Sequence, residues 1–402
     1  MANRCVLAYS GGLDTSVAIG WLRDKFGFDV VALAADVGQG VDHEALIARG
    51  QECGASETIV VDAREEFARD FVLRALRANA LYMGKYPLVS SLSRPLIVRH
   101  LVRVARELGA TAVAHGCTGK GNDQVRFEVS AAALAPDLEV LAPVRDAGLT
   151  RDAAISYAEE RGIPIPVTRK SPYSIDENLW GRTIECGVLE DPWMAPPLDA
   201  YQWTTHVDEA PDQPETMELS FESGVPVAID GAAADLVEVI GSVARRAGAH
   251  GIGRVDMIED RLVGIKSREI YEVPGALTLI QAHRDLEDLT LERSVAAFKR
   301  GVEQTYAELV YNGLWFSPLR RALDAFIDAT QTAVTGDVRL RLHKGTAVVE
   351  GRRSPQALYS HELATYESGD LFDHDAAAGF TKLWGLPVKV WAEKQGDDKD
   401  AP

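Results

Sequence analysis

Five short, mostly apolar runs separated by helical stretches fill the first part of this chain, and that alternation limits its fold more than any other feature. Cys5-Val6-Leu7-Ala8-Tyr9 and Val30-Val31-Ala32-Leu33 read as strands buried on both faces. Glu57-Thr58-Ile59-Val60-Val61, Thr111-Ala112-Val113-Ala114 and Leu138-Glu139-Val140-Leu141 supply three more. Helices are expected between them: from near Thr15, over 43–52, over 64–83, and from Pro95 through Leu108, where Ile97, Leu101, Val104, Ala105 and Leu108 form one stripe. Strands joined by helices predict a parallel sheet with right-handed crossovers. Ligands of such sheets bind beyond the carboxyl ends of the strands. Three polar segments, at 10–16, 35–40 and 115–123, directly follow a strand.

The pattern changes after about residue 165. Ile163-Pro164-Ile165-Pro166 and Ser171-Pro172 read as a crossing between domains. Beyond it, 216–230 and 254–273 alternate as strands with a helix between them. Helices at about 276–311 and 318–333 and a hairpin pairing 338–342 with 346–350 follow. The expected architecture is an α/β, doubly wound parallel-sheet domain over 1–167, an α+β domain over 172–365 and a helical tail over 366–402. A helix near 375–383 in the tail carries Phe380 and Leu383, with Trp384 after it, and would dock either on its own domain or on another subunit. The polar stretch 393–400 is expected to fray.

Composition narrows the class. With 402 residues, 46% hydrophobic and 25% charged, the chain has the balance of a soluble globular protein of two domains. Its net charge of -18 argues against a broad electrostatic grip on nucleic acid or an anionic membrane, while leaving room for a local basic pocket. Cys5, Cys53, Cys117 and Cys186 form no CxxC pair and have no histidine at metal spacing, which fits reduced thiols. No signal-peptide apolar region opens the chain, and no run approaches the roughly 18 apolar residues of a membrane span, so a cytoplasmic protein is expected.

The segment Ser10-Gly11-Gly12-Leu13-Asp14-Thr15-Ser16 joins the first strand to the first helix. Two glycines let the backbone turn tightly and approach an anion. Ser10, Thr15 and Ser16 add hydroxyls, and the helix N-terminus adds free N–H groups and a positive dipole end. That is a phosphate cradle. It lacks the lysine of a GxxxxGK[ST] loop and is not a GxGxxG turn. It resembles the pyrophosphate loop of the N-type ATP pyrophosphatases, which split ATP into AMP and pyrophosphate.

Longer segments indicate the acceptor. Tyr86 through Pro95, His115 through Glu128, Ser171 through Trp180, Gly187 through Trp193, Gly253 through Glu259 and Gly264 through Glu272 resemble the argininosuccinate synthase family over nearly the whole chain. The family joins citrulline to aspartate with ATP and Mg²⁺, giving argininosuccinate, AMP and pyrophosphate, and it is tetrameric. The resemblance implies that Ala8, Tyr9, Ser10, Gly11, Gly12, Leu13, Asp14, Thr15, Ser16, Ala35 and Gly116 line an ATP site. It assigns Thr118, Asn122 and Asp123 to aspartate, and Tyr86, Ser91, Asn122, Arg126, Ser174, Thr183, Glu259 and Tyr271 to citrulline. Position 183 more usually carries serine in the family; threonine keeps the hydroxyl and adds a methyl group.

The residue types suit these ligands, which both carry an α-carboxylate and an α-ammonium. Arg126 offers a planar fork to a carboxylate, and Glu259 can pair with an ammonium. Read alone, either would be a solvated charge, Asn122-Asp123 a helix cap, Tyr86 and Tyr271 packing residues and His115 a structural histidine. Lys120 is a candidate phosphate ligand. No residue stands out as a general base. A tRNA-modifying ATP pyrophosphatase would want catalytic cysteines and a basic surface, against this composition. A nucleotide sensor would bind ATP without turnover.

Overall fold

The computed structural model describes residues 3–148, 151–164, 173–367 and 370–396. β1 (Arg4–Ala8), β2 (Asp29–Asp36), β3 (Glu57–Asp62), β4 (Ala112–Ala114) and β5 (Glu139–Leu141) pair in parallel in the order β3-β2-β1-β4-β5. The reversal of strand order at β1 is where a doubly wound sheet opens its ligand crevice. Alternate residues of the central strands feed two cores. Cys5, Leu7, Val30 and Ala32 pack on one face with Ile19 and Leu22 of helix Leu13–Phe26. Val6, Ala8, Val31 and Leu33 pack on the other with Leu101 and Val104 of helix Val89–Leu108. Both faces are buried, so these strands read as continuous apolar runs.

Helix Val89–Leu108 starts six residues before the proline expected to open it, with Pro95 inside. An interior proline costs about 3 kcal/mol. Val89, Leu92 and Leu96 are fully buried in the largest core, and that burial carries the helix across the defect. The helical stretch from Arg64 ends at Arg77, earlier than expected, after a π-helical turn at Ala68–Val72.

β6 (Ser174–Asn178) and β7 (Gly181–Glu185) form a hairpin not anticipated from the sequence. Its turn is fixed to helix Val89–Leu108: Asn178 Nδ2 donates to Val89 C=O and Trp180 Nε1 to Pro87 C=O, each at 2.8 Å. β8 (Glu215–Glu222), β9 (Val225–Ile229) and β10 (Ala232–Ala233) lead into helix Leu236–Ala249. β11 (Arg254–Asp260) and β12 (Lys266–Glu272) then extend the hairpin into a four-stranded antiparallel sheet, β11-β12-β7-β6.

The helix expected over 276–311 is two, Pro274–Thr290 and Arg293–Tyr311. Glu292 sits between them and caps the second by accepting from the Ser294 and Val295 N–H groups. Helix Pro318–Gln331 follows, and β13 (Gly336–His343) pairs with β14 (Thr346–Arg353) in a second antiparallel sheet, β10-β9-β8-β13-β14.

Contacts group Met1–Gln356 as one compact unit and Ala357–Pro402 as another. The largest core of the first unit joins Phe67, Phe71 and Leu92 to Leu219, Val239, Leu279 and Val338. Of the predicted crossing between domains, Ile165, Pro166, Ser171 and Pro172 lie outside the described residues. In the second unit, helices His374–Trp384 and Leu386–Gln395 leave Phe380, Leu383, Trp384, Val388 and Trp391 exposed. Glu393 to Gln395, expected to fray, end the second of these helices; 397–400 lie outside the described residues.

Candidate active site

The turn after β1 is preformed. Gly11 has φ +75, and a Cβ there would stand 2.6 Å from Leu46 Cδ1, so both backbone and space require glycine. Thr15 Oγ1 lies 3.1 Å from Ser10 Oγ, accepts from the Ser10 N–H at 3.3 Å and donates to Gly12 C=O at 3.3 Å. Gly12 occupies the N-cap and makes no side-chain cap hydrogen bond, and the positive end of the helix dipole lies at this turn. Arg49 Nη1 donates to Gly11 C=O at 3.2 Å and brings positive charge to the turn.

This turn forms one end of a cavity of about 750 Å³. From the expected nucleotide set, Ala8, Tyr9, Ser10, Asp14, Thr15, Ala35 and Gly116 line it; Gly11, Gly12, Leu13 and Ser16 do not, and Ser16 is fully buried. All three residues expected for aspartate, Thr118, Asn122 and Asp123, line it. So do Tyr86, Arg126, Ser174, Thr183, Glu259 and Tyr271 of the citrulline set. Ser91 does not; it lies buried in helix Val89–Leu108. Residues as far apart in the chain as Ala8 and Tyr271 therefore face one space.

The strand register explains part of this convergence. Asp176 of β6 faces Thr183 of β7, which faces Tyr271 of β12, so one row across the sheet presents all three to the cavity. Glu259 is on neighbouring β11. Tyr271 and Tyr311 hydroxyls donate to its two carboxylate oxygens, each at 2.5 Å. Tyr86 stacks on Tyr271 with ring centroids 4.2 Å apart, and its hydroxyl accepts from the Ser90 N–H at 3.0 Å. Burial first, and then neighbouring Tyr86 and Glu259, push the Tyr271 hydroxyl well above its usual range, so it stays a donor.

Asp123 is the hub of the opposite wall. Arg94 reaches its Oδ2 with Nε and Nη2, and Arg126 Nη1 reaches Oδ1 at 2.8 Å. Burial alone would raise this carboxyl, but the two guanidinium groups outweigh it and hold it well below the carboxylate range. Arg94 also donates to Asp176 Oδ2 at 2.7 Å, and the Ser90 hydroxyl donates to the same oxygen. Arg126 is less free than a bare carboxylate fork: Nε donates to Tyr311 C=O at 3.1 Å and Nη1 is held by Asp123, which leaves Nη2.

Asn122 stands at the N-cap of helix Asp123–Leu134, yet its side chain makes no cap hydrogen bond. Its Oδ1 accepts from the Leu262 N–H at 2.9 Å and its Nδ2 donates to the Tyr311 hydroxyl at 2.7 Å. Those partners come from sequence positions 140 and 189 residues away. His115 is buried, and its Nδ1 accepts from the Cys117 N–H at 3.2 Å, so the neutral ring carries its proton on Nε2. Burial, opposed by Glu128, lowers its pKa. Lys120 is exposed and does not line the cavity.

Sequence reading assigned no role to Arg94, Ser90, Asp176 or Tyr311. The first two lie in the quoted Tyr86–Pro95 segment and Asp176 in Ser171–Trp180, so their segments were visible but their partners were not. Tyr311 closes an ordinary amphipathic helix and carried no signal.

A glycine turn at the switch point of a parallel sheet, facing a wall of paired charges and tyrosine hydroxyls, has the make-up expected of a ligase that acts on polar small molecules. Residues 4–164 match the arginosuccinate synthase N-terminal HUP domain, and residues 173–391 match the arginosuccinate synthase C-terminal domain. The argininosuccinate synthase of Ligilactobacillus salivarius is 58% identical over 391 residues, 97% of each chain. That of Gloeobacter violaceus is 60% identical over 393 residues, 98% of this chain and 99% of the relative. That of Brevibacillus brevis is 59% identical over 391 residues, 97% of this chain and 93% of the relative. The chain belongs to the argininosuccinate synthase family, and it is a ligase that joins citrulline and aspartate with ATP in arginine biosynthesis.

Proposed function

We propose that the ligation runs through a citrullyl-adenylate and that the cavity holds its three substrates in separate zones. The ureido oxygen of citrulline attacks the α-phosphorus of ATP, and pyrophosphate leaves into the Ser10–Ser16 turn. The amine of aspartate then attacks the activated ureido carbon, and AMP leaves. The observation that carries this reading is the single cavity shared by Ser10, Asp14 and Thr15 at one end and Asn122, Asp123, Arg126 and Glu259 at the other.

Each zone has its own chemistry. First-turn N–H groups and the Ser10 and Thr15 hydroxyls take the phosphates, and Ala8, Ala35 and Gly116 flank the nucleoside. Glu259, fixed by two tyrosine donors, retains lone pairs for the α-ammonium of citrulline, with Tyr86, Ser174, Thr183 and Arg126 Nη2 around the rest of that substrate. Thr118, Asn122 and Asp123 take aspartate, Asp123 as the anion that receives its ammonium. Acceleration comes from positioning and charge neutralisation. Mg²⁺ enters on the ATP phosphates as part of the substrate.

The family-model boundaries at 164 and 173 support a division between an ATP-binding domain over 1–167 and a synthetase domain over 172–365, and the separate contact unit from Ala357 onward supports a distinct tail, expected over 366–402. The exposed apolar side chains of the tail support a homotetramer, which light scattering tests. Free thiols and metabolite substrates support a cytoplasmic enzyme that takes neither nucleic acid nor membrane as partner. No described helix is long and apolar enough to cross a membrane.

The chemical order is tested with citrulline labelled by ¹⁸O at the ureido oxygen. Label is expected in the phosphate of AMP; AMP free of label would exclude the adenylate. Omitting each amino acid in turn from a pyrophosphate-release assay separates ligation from idle ATP hydrolysis.

A further inference from the structure

The carboxamide of Gln39 folds back on the end of β2 and closes two hydrogen bonds there. The Val37 N–H donates to Gln39 Oε1 at 2.7 Å, and Gln39 Nε2 donates to Ala35 C=O at 2.9 Å. All three residues line the cavity. The side chain thus offers an adjacent acceptor and donor to a backbone N–H and C=O two residues apart. Adenine offers the same pair, its 6-amino N–H beside a ring-nitrogen acceptor. Guanine at that place would turn its O6 to the carbonyl and its N1–H to the amide, so both contacts would repel.

Bonds other than the carboxamide's also hold this backbone pair. Leu179 N–H donates to Val37 C=O at 2.8 Å, and the Gly38 N–H donates to Asp36 Oδ1 at 2.9 Å. Gly38 has φ +96, and a Cβ there would stand 3.0 Å from Leu179 N, so the loop is pressed against the β6–β7 turn. Ala35 stands in register with Val61 of β3, which seats this end of β2 in the sheet. Gln39 itself is half-buried, and a change of its side-chain torsions would free the pair without moving the main chain.

We propose that Ala35 C=O and Val37 N–H read the adenine edge, and that Gln39 occupies them as an internal surrogate for the base until ATP displaces it. This rests on the ATP reading of the cavity. Gln39 is then a specificity residue: it keeps the two polar groups satisfied in the empty enzyme, and it sets the ATP affinity by competing with the base. Two neutral hydrogen bonds must be exchanged, so removing the competitor strengthens ATP binding by roughly 3- to 10-fold.

The test compares the full-length wild type with Gln39→Ala and Gln39→Leu by calorimetric titration with ATP, AMP, GTP and pyrophosphate. Both variants are expected to bind ATP and AMP 3- to 10-fold tighter, as roughly the exchange above implies, with pyrophosphate unchanged and no gain for GTP. Unchanged or weaker AMP binding in variants that keep the wild-type melting temperature would overturn the proposal and make the carboxamide a brace of the loop. An equal gain for GTP would also overturn it, since the gain would come from space. Should the variants not fold, a structure of the wild type with AMP decides: the carboxamide turned away from Ala35 and Val37 supports the proposal, and both bonds retained overturns it. Failure of the ATP reading would show separately, as a wild type that binds neither ATP nor AMP.

Discussion

Arg94 clasps a single oxygen of Asp123, with Nε at 2.9 Å and Nη2 at 2.8 Å from Oδ2, while the other oxygen is left to Arg126. With Asp176 on the same guanidinium, the two arginines and two carboxylates balance in one cluster on the cavity wall. Arg94 also ties Asp176 of the β6–β7 hairpin to the same carboxylate, so one side chain joins the two halves of the cavity wall. Arg94→Ala would leave Asp123 and Asp176 facing each other. Leaving two half-buried carboxylates without this partner costs roughly 1–3 kcal/mol, which corresponds to a fall in kcat/KM for aspartate of about 10- to 100-fold. Arg94→Lys should recover part of it only, since an ammonium cannot bridge both carboxylates in one plane. Steady-state rates at varied aspartate test this; a kcat/KM for aspartate within twofold of wild type in Arg94→Ala would remove Arg94 from the site.

Gly11→Ala sets a Cβ against Leu46 at a left-handed backbone position. The conformational cost is about 1–2 kcal/mol before the clash is relieved. Relief moves the turn, so KM for ATP should rise at least roughly tenfold, while KM for citrulline stays near wild type. Leu46→Ala in the same chain should restore part of the ATP affinity by making room for the methyl group. No recovery in that double variant would assign the defect to the backbone alone.

Glu269 gives the cavity a pH dependence. Burial raises its carboxyl, nearby Glu185 adds to the rise, and Arg261 only partly offsets them, so it is pushed up to about 7 from an ordinary 4.5. The folded protein therefore holds this proton more tightly than the unfolded chain does. Its contribution to stability is complete below pH 4.5 and is lost as pH rises through 7. Glu269→Gln removes that loss while keeping an acceptor for Ser267 and Arg261. The melting temperature of the variant relative to wild type should climb by a few degrees, roughly, between pH 5 and pH 8. A difference that is flat or falls with pH would show Glu269 to be ionised throughout by its pairing with Arg261.

How much of this was legible in the sequence follows from where each signal resides. The parallel sheet was readable because its central strands are apolar on both faces, and the turn at Ser10–Ser16 because its chemistry is local. The β6–β7 hairpin was not. Ser174-Ile175-Asp176-Glu177-Asn178 looks like a polar loop because its acids face a charged cavity instead of a core. Pro95 misled for a related reason: the local rule places it at a helix start, and burial of Leu92 and Leu96 overrides the rule. Segment resemblance brought Asn122, Asp123, Arg126 and Glu259 to the site. It could not reveal that Arg126 is half engaged, that Asn122 bonds across the fold, or that Tyr311 stands between them, because those are contacts between segments far apart in the chain.

Tyr311 is the residue whose removal tests that last point. Its hydroxyl donates to Glu259 Oε1 and accepts from Asn122 Nδ2, linking a residue expected at citrulline to one expected at both amino acids. Burial, reinforced by Glu259, raises its pKa far above the usual range, so it remains a neutral donor at any working pH. Tyr311→Phe keeps the ring, its stack on Tyr82 at 3.5 Å and the Arg126 guanidinium 5.0 Å above it. Only the hydroxyl goes. A buried amide and a buried carboxylate then each lose a partner, at about 1–3 kcal/mol. Because Glu259 would turn and Asn122 would loosen together, kcat/KM should fall about 10- to 100-fold for citrulline and by a comparable factor for aspartate. ATP-dependent pyrophosphate exchange without aspartate should weaken only through citrulline. If Tyr311→Phe lowers kcat/KM for citrulline alone and leaves aspartate at wild-type values, the two subsites are independent, and the hydroxyl serves Glu259 and not Asn122.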